Sequence, residues 1–473
     1  EGMRLAWATL KTGEQHTSET QFDQRTGKAI PGVTGEIVRL PSRFMMSSDD
    51  FFKAINYRAE LNALAVRQAK SEGLTGQQLA ARIQELRDDP TDDMIRKSQE
   101  NARYQTFQNK LGPKGQLLIR FREAWHLWPI LPFLRTGINI MRYAAERTPL
   151  APLLMKDARE RLLGRKGKVA QDIQISRMVL GTVVMTGMAS MVLQGMVTGG
   201  GPDDDKEKDV WRGTGWQPYS YHPGNTYYSY IRFDPFALHL GVVADMIEMR
   251  EKFGKGAYDQ VAYMLAASIV NNITEKTWLR SGVKFTEMLT DPKRFMEKFA
   301  GDFITGFVPN ISAQTARTND PSFRDARTII DRIKERIPGY KETLPQRYDI
   351  FGQPIISEGN LGPDILSPIY MSKDKDNPVA KALIAASYFP GLPRRNINGH
   401  DLTPQQYAEY SEAAGKEAVR RLSKIVQAEN WSKRSQEQQE RVLKQGFDKA
   451  RELVRNRLMA KYPELRKKAA ATP

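Results

Sequence analysis

Apolar residues recur at helical spacing along most of the chain. Ser48 precedes Asp49 and Asp50 and reads as an N-cap with acids in the first turn; Phe51, Phe52, Ile55, Leu61, Leu64 and Ala65 then mark one helical face. Further helical patterns cover 75–87 and 91–110, the latter stopping at Gly112-Pro113, then 136–147 and 170–198. They resume at 236–253, 256–272, 276–290, 293–306 and 321–336. Period-two patterning is rare. Gly35 to Leu40 is one short strand-like run, and Trp216–His222 with Thr226–Phe233 flank the turn-forming Pro223-Gly224-Asn225. From Pro338 to Pro404 there are nine prolines, which predict an extended strap with one short helix near 378–388.

The expected fold is mainly α: a multi-helix, elongated or bundle-like chain with an aromatic β-hairpin at about 216–233 and a Pro-rich strap at about 338–404. Five regions follow from the pattern: a polar N-terminal segment 1–45, a helical region 46–170, a central helical region 171–336, the strap 337–404 and basic C-terminal helices 405–473. The chain begins at Glu1 with no basic-then-apolar leader, which reads as the interior or C-terminal part of a longer polypeptide, or as a processed product.

Charge changes the picture. The net charge is +16, and the stretch from Lys416 to Pro473, with 16 basic and seven acidic residues, supplies +9 of it. Such a balance suits double-stranded DNA, bound without sequence preference, or an anionic membrane. On the last helix Leu443, Phe447, Ala450, Val454 and Leu458 share one face, while Arg441, Lys444, Arg451 and Arg455 lie on another, interrupted by Asp448. The basic set is the candidate DNA-facing surface, with an ordinary solvated helix face as the alternative.

Met178 to Pro202 is 25 residues without a charge, a length that spans a bilayer, and holds five methionines and six glycines. Thr182, Thr186, Ser190, Gln194 and Thr198 are spaced four apart. Each step of four drifts only ~40°, so they form one slowly winding polar stripe. That stripe suits lining a lumen or sealing against a neighbouring copy; a buried core helix with back-bonded hydroxyls is the default reading. Tyr219, Tyr221, Tyr227, Tyr228 and Tyr230 on the hairpin are candidates for an aromatic interface, with plain cross-strand packing as the default. Trp125 to Leu134, with two prolines, reads as a bend packed into the core rather than a membrane-interface insert.

Catalytic signals are missing. The chain has no cysteine, so disulfides and thiolate chemistry are excluded, and HExxH, GxSxG and GxxxxGK[ST] do not occur. The five histidines are isolated in sequence, and Asp203-Asp204-Asp205 reads as a solvated loop at a helix end. No cofactor, metal site or catalytic residue is expected.

Several strings occur in an order that resembles a shared region of the internal virion, or ejection, proteins of tailed phages. They are Leu40-Pro41-Ser42-Arg43 leading into Asp49-Asp50-Phe51-Phe52-Lys53-Ala54-Ile55-Asn56-Tyr57-Arg58; Pro132-Phe133-Leu134-Arg135-Thr136 with Glu146-Arg147-Thr148-Pro149-Leu150; Tyr230-Ile231-Arg232-Phe233-Asp234-Pro235-Phe236; Ala316-Arg317-Thr318; Asp349-Ile350-Phe351-Gly352; and Leu361-Gly362-Pro363-Asp364-Ile365-Leu366-Ser367-Pro368. They span about 40 to 400. The resemblance implies a non-enzymatic protein held near the portal in the virion interior and ejected with the genome to help build a conduit across the host cell envelope. Its partners would be copies of itself, portal, tail or other internal virion proteins, DNA and the host membrane. The rival expectations are an enzyme module such as a peptidoglycan hydrolase, and a soluble DNA-binding packaging or internal core protein that never meets membrane.

Overall fold

A computed structural model of the chain describes residues 2–14, 32–124, 134–233, 236–253, 310–357, 359, 367 and 369–466, and they are mainly α-helical. The expected helices at 256–272, 276–290 and 293–306 and the bend at 125–133 lie outside the described residues. The chain divides into two compact units, and among the described residues the first runs to Thr182 and the second starts at Val183.

The first unit holds α1 (Gly2–Thr12), α2 (Gly32–Ser71), α3 (Gly76–Asp88), α4 (Asp92–Gln105), α5 (Pro113–Ala124), α6 (Leu134–Ala145), α7 (Ala151–Leu154), α8 (Lys156–Leu162) and the start of α9 (Lys168–Leu193). Helix α2 runs unbroken through 35–40 and through Ser48, so neither the strand-like run nor the N-cap expected there exists. Side chains around the expected cap have other partners. The Ser47 hydroxyl donates to the Ala6 carbonyl (2.6 Å), the Thr9 hydroxyl donates to the buried Asp50 carboxylate, and Asp49 pairs with buried Lys53 at 2.6 Å. The Ser47 and Thr9 bonds tie α1 along α2, while the Asp49–Lys53 pair lies within α2. Leu61, Ala65, Ala69, Leu86 and Met94 form the small core under α2, α3 and α4. Helix α4 stops at Gln105, earlier than the pattern suggests, because Phe107 takes a left-handed conformation (φ 59°) and turns the chain.

The second unit contains the rest of α9, α10 (Asp205–Arg212), β1 (Ser220–Tyr221), β2 (Thr226–Ser229), α11 (Phe236–Phe253), α12 (Asn310–Asn319), α13 (Ile329–Lys334), β3 (Met371–Lys373), α14 (Pro378–Ala385), β4 (Asn396–Ile397), β5 (His400–Asp401), α15 (Pro404–Val426) and α16 (Gln436–Lys461). The hairpin forms where expected, with Tyr221 opposite Tyr228, and β3 adds a third antiparallel strand on its far edge. The helix expected over 321–336 is confined to 329–334. Upstream of it Ser322 bridges to Ile356 and Arg324 to Gln346, so this segment pairs with the strap. Prolines remove N–H donors from that pairing and leave isolated bridges in place of ladders. A reciprocal capping box between Thr328 and Asp331 then starts α13.

The strap's short helix, α14, packs with α15 and α16 around Leu383, Ala418, Leu422, Leu443, Phe447 and Ala450. Capping boxes, Thr403 with Gln406 and Ser435 with Gln438, begin the two long helices. The strap also contributes Phe351, which is 1% exposed, from a turn pressed onto α15.

Candidate functional site

Helix α9 is the element on which the functional expectation turns. It stops at Leu193, five residues before Thr198, because Gly195 (φ 70°) supplies a left-handed C-terminal cap: its N–H reaches the Val192 carbonyl and that of Met196 the Met191 carbonyl. Thr198 therefore leaves the stripe. It is a structural residue, its hydroxyl donating to the Gln217 carbonyl (2.7 Å) and accepting from the Ser220 N–H (2.9 Å). Thr182, Thr186 and Ser190 do lie exposed along the helix, and Gln194 is exposed just past its end. Val179, Leu180, Val183 and Leu193 are exposed beside them, at 55–64%, and only 17% of the most apolar stretch is buried. Met188 and Val192 on the same helix are buried in the core of the second unit, so α9 has one packed face and one exposed face. The polar groups meanwhile satisfy themselves: the Thr182 hydroxyl donates to the Met178 carbonyl at 2.7 Å, and the Gln194 amide to the Ser190 carbonyl (3.1 Å) and hydroxyl (3.0 Å). A helix surface with apolar side chains, back-bonded hydroxyls and no charge from Met178 onward has little to lose on leaving water.

The triple glycine after α9 does more than end it. The N–H groups of Gly199 and Gly201 donate to the two oxygens of Glu248 (2.5 and 3.0 Å), and the Gly200 N–H donates to Asp245 (2.7 Å). Tyr219, itself left-handed (φ 48°), donates its hydroxyl to Asp245 at 3.2 Å, and the Tyr230 hydroxyl donates to the Thr198 carbonyl at 2.9 Å. This clamp joins α11 to the loop and hairpin. Burial pushes the Asp245 carboxyl up to about 7, aided by the nearby Glu248 charge and opposed by the Gly200 and Tyr219 donors. Burial likewise raises Asp349 to about 6.

A pH dependence follows. Between pH 4 and 7 the folded unit keeps a proton on Asp245 that the unfolded chain has already released, so stability falls as pH rises through that window, by on the order of 3–4 kcal/mol. Asp349 adds to the same trend between pH 4 and 6. Urea unfolding at pH 5 and pH 7.5 should show the higher midpoint at pH 5. Asp245→Asn should flatten most of the difference, and an unchanged difference would remove Asp245 as its source.

The aromatic set divides. Tyr219, Tyr227 and Tyr230 are buried, with the Tyr219 and Tyr230 rings edge-on at 6.2 Å and Tyr227 stacked on His222 at 3.9 Å. Tyr228 is half-buried, and Tyr221 alone of the five is exposed. Packing accounts for most of this cluster. On α16 all five apolar positions are buried. Arg441, Lys444 and Arg455 are exposed, whereas Arg451 is half-buried and donates to the Gly391 carbonyl. Asp448 and Glu452 share the exposed face, so its basic character is diluted.

Among the described residues no group of three or more His, Asp or Glu side chains is placed to hold a metal ion. Asp204 caps α10 by accepting from the Lys206 N–H at 2.8 Å, as a helix-end loop should. A cleft of about 460 Å³ in the second unit is lined by Glu342, Glu409 and Glu412 with Tyr348 and Arg324. Lys461 holds Glu409 at 2.8 Å and Lys416 holds Glu412 at 2.6 Å, so two of the three carboxylates serve ion pairs on and between helices. Comparison with protein-family models, curated proteins and solved structures finds no match for this chain.

Proposed function

We propose that this chain is a structural phage virion protein, ejected with the genome, that helps form an oligomeric conduit for DNA across the host cell envelope. It would lie in the virion interior near the portal, with copies of itself and portal, tail or other internal virion proteins as partners, and move to the host envelope on ejection. One observation carries the reading: α9, in a chain of net charge +16, presents an exposed surface that is free of charge from Met178 to its end. The ordered strings that resemble ejection proteins point the same way.

The geometry refines the proposal. The charge-free part of α9, 178–193, rises about 24 Å at ~1.5 Å per residue, short of the ~30 Å hydrocarbon core. Short helices are accommodated by thinning the bilayer or by oligomerising, and the exposed Thr186 and Ser190 offer small surfaces on which copies can approach. A soluble internal core protein that binds DNA and never meets membrane is the second reading, favoured by the exposed Arg441, Lys444 and Arg455.

Dye release from phosphatidylglycerol-containing vesicles separates the two. The wild-type chain should release dye, and the release should persist in high salt. Val183→Lys with Thr186→Lys changes two exposed positions near the middle of the 178–193 stretch and so spares the fold, yet each lysine costs ~3 kcal/mol at the centre of a membrane helix. Release should drop at least tenfold. Intact vesicles together with DNA binding that weakens steeply with salt would establish the soluble reading instead.

A further inference from the structure

The first unit carries a surface cleft of about 250 Å³ lined by Glu100, Arg103, Asn109, Lys110 and Arg142. Its walls come from three places: the last turns of α4, the connection from α4 to α5, and α6. The connection is firmly set. Asn139, 5% exposed, donates its side-chain amide to the carbonyls of Phe107 (3.0 Å) and Asn109 (2.8 Å). Phe107 holds its left-handed backbone with its ring edge-on to Tyr143 at 5.4 Å, and Gln108 is 1% exposed. A non-glycine residue in that region costs ~1–2 kcal/mol, which persists only when its surroundings over-determine it. The strained turn is what brings Asn109 and Lys110 up to the α4 and α6 side chains.

Charge in the cleft is unbalanced. Arg142 is oriented by Glu146 (3.2 Å) and Asp157 (3.3 Å), and Glu100 is taken up by Arg96 at 3.2 Å. Arg103 and Lys110 make no ion pair among the described residues. Among the described residues, two cations without an ion pair, a pre-oriented guanidinium and the Asn109 side chain therefore line one small volume whose one described carboxylate is already paired. That donor set fits an oxyanion of phosphate size. Among the described residues no apolar side chain lines the cleft, so they offer acyl chains no surface beside a lipid headgroup. We infer that this cleft grips a phosphodiester of the nucleic-acid backbone, a contact separate from the basic face of α16 and independent of whether α9 enters lipid.

The test is binding of a fluorescently labelled duplex by anisotropy over 50–300 mM salt, using the full chain. Arg103→Ala with Lys110→Ala should weaken binding about tenfold and lower the slope of log affinity against log salt by about 1, the loss of one phosphate contact. Arg103→Lys with Lys110→Arg, which keeps both charges, should restore both. An unchanged thermal melt of the alanine double variant would place the effect in binding. Unaltered affinity and slope in the alanine variant, no duplex binding by the wild type, or a loss seen only with phosphatidylglycerol vesicles would each overturn the assignment.

Discussion

Alanine at Gly415 is expected to cost the second unit about 4 kcal/mol, a large share of the ~5–15 kcal/mol that holds a domain folded. A Cβ there would sit 2.0 Å from the Gly352 nitrogen, 2.4 Å from the Phe351 carbonyl carbon and 2.6 Å from the Gly352 Cα. Those atoms are backbone and cannot swing aside. Gly352 faces back the same way: it adopts φ 73°, and its own Cβ would lie 2.3 Å from the Glu412 carbonyl oxygen. The two glycines let the 349–352 turn lie directly on the α15 backbone. That contact seats Phe351 in the core beside Val379, Leu383 and Phe447. A methyl group at 415 lifts the turn and pulls the ring out, so the penalty combines overpacking with loss of a buried phenyl side chain, ~3–5 kcal/mol by itself. Gly352→Ala should be similarly damaging, and the double variant should fall well short of the sum because both break one contact. Gly224→Ala, where a Cβ meets nothing within 4 Å, is the control. Urea midpoints within error of the wild type for Gly415→Ala would show that the turn can lift without losing its seat.

That contact marks the limit of what local pattern reveals. Helix α16 was fully legible: a 3.6-residue period placed Leu443, Phe447, Ala450, Val454 and Leu458 on one face, and all five are buried. The hairpin was legible from its turn. Features that depend on distant partners were not. Ser48 with Asp49 and Asp50 carries the signature of a helix start, yet Asp50 and the neighbouring Ser47 bond to Thr9 and Ala6, 41 residues away. The triple glycine reads as a terminator, and nothing nearby in sequence shows that its N–H groups serve Asp245 and Glu248, 45 to 49 residues on. Strand β3 is a Met-Ser-Lys triplet in a proline-rich strap, too short for any periodicity. The phosphate cleft escaped for the same reason, since Arg103, Lys110 and Arg142 form no motif and meet only because Phe107 reverses the chain. The charge-free stretch was visible, but its exposure was not: an apolar helix reads alike whether it faces a core or water.

Leucine at Glu146 should cost the first unit ~3–5 kcal/mol, because a buried carboxylate there compensates several cations at once. Glu146 is 1% exposed. It accepts from the Tyr104 hydroxyl at 2.6 Å, from Arg177 at 3.0 Å and from Arg142 at 3.2 Å, while its carbonyl accepts from the Gln174 amide at 2.9 Å. Arg147 lies 3.2 Å above the Tyr143 ring and donates to the Tyr104 hydroxyl at 3.0 Å. Burial, with the Glu146 charge beside it, pushes the Tyr104 hydroxyl up to about 12, so it stays a neutral donor at any working pH. Leucine removes the acceptor that Arg142 and Arg177 share; Arg142 keeps Asp157 at 3.3 Å, and Arg177 loses its carboxylate. For a unit of this size the melting temperature should fall by roughly 10 °C. Glutamine keeps an acceptor and should cost less. Combining it with Tyr104→Phe should show a coupling of ~1 kcal/mol or more in a double-mutant cycle, since both report on one bond. Arg142 also lines the phosphate cleft, so loosening its anchor should weaken duplex binding even in the milder glutamine variant, which would tie the α6 network to recognition as well as to stability. A Glu146→Leu protein that melts within 2 °C of the wild type would mean that water or a rearranged Asp157 takes over the cations, and the network would then be dispensable to the fold.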